Sequence, residues 1–97
     1  MTKARWLLEL AVELRQPLWL FTHPEIELAV NRPCPKLALE ELSRLLDDLR
    51  RDGLICFTSD NRQRLAPSRD ELFARLQKRD STYYGLTPEG GAAWEAF

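Results

Sequence analysis

The chain has 97 residues, 44% hydrophobic and 30% charged, enough for one core and too few for two domains of ordinary size. Its net charge of −1 gives no overall attraction to a polyanion, so nucleic-acid contact would need a local basic patch. No apolar run approaches the roughly 20 residues of a membrane span, and Cys34 and Cys56 stand apart without a C-x-x-C or a histidine cluster. The expectation is one cytoplasmic domain over residues 1–97 with reduced cysteines, no metal, no cofactor and no membrane contact.

Residues 3–15 read as a first helix. Arg5, Glu9 and Glu13 form a narrow polar stripe, while Trp6, Leu7, Leu8, Leu10, Val12 and Leu14 cover most of the circumference. Two outcomes suit so apolar a helix. Trp19, Phe21, Trp94 and Phe97 close over it within one chain, or Trp6, Leu7, Leu10 and Leu14 form a homodimer contact. Pro17 starts a short helical piece through Phe21, and Thr22-His23-Pro24-Glu25 has the capping-box form of a further helix reaching about Val30. Asn31, Pro33 and Pro35 stop it, since proline lacks an N–H and restricts the residue before it.

A leucine-faced helix then begins near Lys36 or Leu37. Leu39, Leu42, Leu45, Leu46 and Leu49 fall on one side of it, and Gly53 supplies its left-handed stop. A strand is predicted over residues 55–59, followed by a polar, irregular stretch over 60–67. Ser68-Arg69-Asp70-Glu71 is a second capping box, heading a helix of about eleven residues around Leu72, Phe73 and Leu76. Thr82 to Leu86 reads as the returning strand, and Thr87-Pro88 as the cap and first-turn proline of a last helix. Gly90 and Gly91 weaken that helix, which close approach of another backbone would explain.

Helices, a leucine-faced helix ending in Asp52-Gly53-Leu54-Ile55, a strand, an insertion, and then Tyr83-Tyr84-Gly85-Leu86-Thr87-Pro88-Glu89-Gly90 make an order that resembles the winged helix-turn-helix superfamily. Within it, residues 20–97 look most like the multiple-antibiotic-resistance and phenolic-acid regulator types. The resemblance implies an α+β, mainly α fold: a winged helix-turn-helix-like three-helix core with a two-stranded antiparallel wing carrying a helical insertion at about residues 60–81. It also implies a small DNA-binding transcription regulator. Three features depart from the family: a stiff turn at Arg32-Pro33-Cys34-Pro35, the enlarged wing, and an end at Phe97 without a long dimerising helix, so any dimer is expected to use another surface.

In a DNA complex of that kind the Leu37–Asp52 helix would enter the major groove and present Glu40, Arg44, Asp47 and Arg51. Each arginine follows an acid by four residues, a spacing that neutralises the stripe from within. Lys36, Glu40 and Arg44 are the expected contacts to base edges or phosphates of double-stranded DNA. The insertion adds Arg62, Arg64, Arg69, Arg75, Lys78 and Arg79 against Asp70 and Glu71, a surplus suited to a phosphate backbone. The alternative is a winged-helix protein-interaction module that does not bind DNA, using the apolar first helix or the acidic leucine-rich one. His23 is the only histidine and sits beside a proline, and no serine has a histidine near it in sequence. Phosphate-binding glycine motifs and zinc spacings are also missing from the sequence, so no catalytic residues are assigned and no enzyme is expected.

Overall fold

The computed structural model describes residues 2–23, 25–26, 34–35, 37–78 and 81–96. These form an α+β fold, mainly helical. In order they are α1 (Lys3–Leu10), β1 (Gln16–Pro17), a 3-10 helix (Leu18–Thr22), α2 (Leu39–Arg51), β2 (Ile55–Thr58), β3 (Arg64–Leu65), α3 (Arg69–Gln77), β4 (Tyr83–Leu86) and α4 (Pro88–Ala96). The strands make one antiparallel sheet in the order β1-β4-β2-β3.

The two expected strands pair as anticipated, with Ile55 opposite Leu86 and Thr58 opposite Tyr83. Two more strands flank them, so the expected two-stranded wing is a four-stranded sheet. Pro17 lies on the edge strand β1, opposite Tyr83, where a missing N–H is tolerated. On the other edge, Leu65 and Arg64 pair with Phe57 and Thr58 inside the stretch expected to be irregular.

Alternation along β2 and β4 divides the sheet into two faces. Ile55, Phe57 and Tyr84 point inward and are buried, while Cys56, Thr58 and Tyr83 are only partly covered. Tyr84 sits at the centre of the interior. Its hydroxyl donates to the Leu7 carbonyl at 2.7 Å, and Phe21 stacks on its ring at 5.9 Å. Trp6 meets Phe21 edge-on at the same spacing. Burial pushes the Tyr84 phenol well above its ordinary range, because a phenolate there would lose its hydration.

The first helix stops at Leu10 rather than near Arg15. The Gln16 side-chain amide donates to the Leu10 carbonyl at 2.8 Å, satisfying a group that a longer helix would have paired internally. Its apolar face closes within a single chain: Trp6, Leu7 and Leu10 are buried, which takes them out of the alternative, a homodimer contact. Leu14, the fourth residue of that set, is 73% exposed beyond the helix. Phe21 and Trp94, two of the four residues expected to close over the helix within one chain, pack against this core.

The inserted helix differs most from expectation. Its capping box is present, with the Glu71 N–H donating to Ser68 Oγ at 3.2 Å and the Ser68 N–H donating to the Glu71 carboxylate at 3.4 Å. Leu72 and Leu76, however, are fully buried, packed against α2 and the 3-10 helix. The insertion therefore completes the core instead of projecting from a wing. Near the first capping box, Thr22 ends the 3-10 helix and donates to the Trp19 carbonyl, while the His23 ring accepts from the Glu25 N–H at 3.1 Å. The expected helix to Val30, the Arg32-Pro33 half of the turn, Lys36, Arg79 and Phe97 lie outside the described residues. The leucine-faced helix begins at Leu39, two residues or more later than expected.

At the far end of the sheet, Gly53 takes φ +76 and ends α2. The Thr87 hydroxyl donates to the Gly53 carbonyl and accepts from the Gly90 N–H, joining the end of α2 to the start of α4. A Cβ on Gly90 would fall 1.8 Å from the Leu54 carbonyl oxygen, whereas one on Gly91 would meet nothing within 4 Å. Urea unfolding should therefore separate the two glycines. Gly90→Ala should cost roughly 1–3 kcal/mol by overpacking, and Gly91→Ala should gain up to about 1 kcal/mol of helix propensity. Equal effects would contradict this packing.

Tyr84 generates a pH dependence with a definite sign. Its folded pKa is raised, so the folded state keeps a proton that the unfolded chain loses near pH ~10. Its contribution to stability is complete below that pH and declines above it. Tyr84→Phe should cost about 1 kcal/mol at neutral pH through the missing hydrogen bond. The variant should also lose less stability than the parent as pH rises past about 10, as read by denaturation midpoints.

Candidate nucleic-acid interface

The leucine side of α2 faces the core, but the opposite side is not all free. Ser43 and Asp47 are buried because α3 lies across them, and Asp47 is 1% exposed. Its carboxylate collects three guanidinium groups: Arg50 at 3.3 Å, Arg51 at 3.2 Å and Arg69 of α3 at 3.4 Å. Arg69 also reaches Asp48 at 3.6 Å. Of the two ion pairs expected along the stripe, Asp47 with Arg51 forms, whereas Arg44 meets Glu41 at 4.0 Å. Glu41 is held in turn by Lys3 of α1 at 2.9 Å. Glu40 and Arg44 remain exposed near the start of the helix.

The basic residues of the insertion separate into two groups. Arg69 is engaged with Asp47 and Asp48, and Arg75 donates to the Thr82 hydroxyl at 2.6 Å, so both fasten α3 to its surroundings. Arg62, Arg64 and Lys78 are exposed, and no ion pair joins Arg62 or Arg64 to another described residue. The expected continuous basic stripe is thus divided between structural and solvent-facing cations.

Arg62 and Arg64 belong to the tight β2–β3 hairpin. The Ser59 N–H donates to the Gln63 carbonyl at 2.9 Å, and the Arg62 N–H donates to the Ser59 carbonyl at 3.0 Å. Arg62 has φ +62, a left-handed conformation that glycine or asparagine adopts with less strain. Under the hairpin lies Arg15, which sequence reasoning did not single out. It donates to the Thr58 hydroxyl at 3.1 Å and to the Ser59 and Asp60 carbonyls at 2.7 and 3.3 Å. Its guanidinium covers the Tyr83 ring at 4.2 Å. No local pattern marks Arg15, because its partners come from strands distant in sequence.

The Asp47 cluster makes a testable claim about how α3 is held. Its partners' side chains are 32%, 66% and 47% exposed, so water can receive them if the carboxylate is removed. Asp47→Ala should consequently cost roughly 1–3 kcal/mol, less than breaking a fully buried pair. Amide hydrogen exchange should quicken most in α3, where Arg69 loses its anchor; uniform loss of protection would contradict that role.

Among the described residues no group of histidine, cysteine and acidic side chains could hold a metal ion, and no helix is long and apolar enough to cross a membrane. Compared with family models, curated proteins and solved structures, the chain matches none of them.

Proposed function

We propose that this chain is a winged-helix-type DNA-binding protein, a cytoplasmic transcription regulator that acts by binding and performs no chemistry. In this reading α2 is the helix that approaches the groove, using Glu40 and Arg44 near its start, and the β2–β3 hairpin is the phosphate-binding wing. A helix leading through a glycine stop directly into an internal strand, with a returning strand and a capped last helix, supports the winged-helix assignment. The observation that carries the functional reading is Arg62. A long cationic side chain occupies a left-handed backbone position at a hairpin turn, and strain retained at such a position is a pointer to function. Arg64 adds a second exposed guanidinium on the same hairpin.

A second reading, a protein-interaction module, is favoured by one specific feature. α3 covers part of the outward side of α2 and leaves a shallow groove between the two helices, lined by Ala38, Ser43, Arg44, Arg69 and Phe73. A helix flanked in this way has less freedom to enter a groove in DNA.

Arg62→Gly distinguishes the readings, because it should improve folding while impairing binding. Removing the left-handed strain should gain roughly 1 kcal/mol. Duplex affinity at low salt should fall for every sequence tested, and the slope of log affinity against log salt should shrink by about 0.9 for each phosphate that is no longer neutralised. Absence of duplex binding by the parent protein at low salt would remove the DNA reading and leave the protein module.

A further inference from the structure

Arg15 runs along the outer face of the sheet. A Cβ on Gly85 would stand 3.4 Å from the Arg15 Cβ, so Arg15 starts against β4 at a position with no side chain in its way. Its guanidinium passes over Tyr83 and reaches the β2–β3 hairpin, donating to Thr58 Oγ1 and to the Ser59 and Asp60 carbonyls. The Ser59 carbonyl has two donors, Arg15 Nη1 at 2.7 Å and the Arg62 N–H at 3.0 Å. The second of these bonds closes the turn in which Arg62 takes φ +62. One oxygen thus couples a guanidinium fixed on the sheet to the strained backbone of the hairpin.

We propose that Arg15 is the positioning residue of the wing: it keeps Arg62 in its left-handed turn and aims the hairpin arginines at a phosphate backbone without touching the nucleic acid itself. The proposal rests on the DNA reading above and names the residue that maintains the strain on which that reading relies. A left-handed arginine is unfavourable by itself, and an unheld hairpin would relax it. The donations from Arg15 are charge-assisted, stronger than the neutral turn bond beside them. Arginine suits the task because its planar fork donates in more than one direction while its face covers the Tyr83 ring. Both of its terminal nitrogens are engaged with protein oxygens, whereas Arg62 and Arg64 stand exposed for a ligand.

Arg15→Lys keeps the charge but loses the fork, and hairpin order and duplex binding both report on the change. Hydrogen exchange at the Ser59 and Arg62 amides should quicken about tenfold, with α2 and α4 unchanged. Duplex affinity at low salt should fall about tenfold, the consequence of losing charge-assisted hydrogen bonds. The slope of log affinity against log salt should keep its parental value, because no phosphate contact is lost. Glycine adopts the left-handed turn unaided, so in an Arg62→Gly background the same change should move exchange and affinity by less than about twofold. A slope reduced by about 0.9 would overturn the proposal by making Arg15 a phosphate contact itself. Quickened exchange with unchanged affinity, or equal losses in the parental and Arg62→Gly backgrounds, would also overturn it and leave Arg15 a structural clasp. A parent protein that binds no duplex would overturn it together with the DNA reading, a failure seen in the parent and not in the variant.

Discussion

A carboxyl group taken out of water has to find donors, and the Asp47 side chain finds them in three arginines. Two of these come from its own helix and would be within reach in any conformation that kept α2 intact. The third, Arg69, arrives only when α3 is laid across α2. Burial of Leu72 and Leu76 supplies the nonpolar part of that docking, and the ion-pair cluster fixes its position. Hydrophobic contact is indifferent to small slides of one helix over another, whereas a buried carboxylate is not. The balance of polar and apolar surface on α2 follows from this arrangement, including which of its charged residues remain in solvent.

The same docking explains how so short a chain closes its interior. An isolated four-stranded sheet with one apolar face needs cover, and α1, α2 and α3 provide it around Tyr84. The ring of Tyr84 touches Phe21 and its hydroxyl reaches the backbone of α1, so a single side chain links the sheet, the 3-10 helix and the first helix. Among the described residues, the large apolar side chains left exposed are Val12 and Leu14.

Much of this architecture was legible in local sequence signals. Leucine periodicity marked α2, the serine capping box marked α3, and Gly53 and Thr87-Pro88 marked where elements stop and start, because these features act within a few residues of themselves. The edge strands were not legible. Gln16-Pro17 and Arg64-Leu65 are too short to have a pattern, and they become strands only because β4 and β2 offer free edges. The burial of Asp47 was equally hidden, since spacing reveals the arginines on its own helix but not the helix that arrives from the insertion. At the candidate interface the arginines could be counted from sequence, but division into anchors and free cations required knowing which side of α3 faces α2. Arg15 had no local signal at all.

The strand order has a consequence for how the chain acquires its shape. β4 lies between β1 and β2, yet it follows both in sequence by a long way. During synthesis α2 and the β2–β3 hairpin can form from neighbouring residues, but β1 has no ladder to join until Tyr83 and Tyr84 emerge. Closing such distant pairings is entropically slow, so assembly of the sheet is expected to be a late and concerted event. Until then the inward residues of β2 remain uncovered, and the nascent protein is most vulnerable to aggregation just before its central ribbon is delivered.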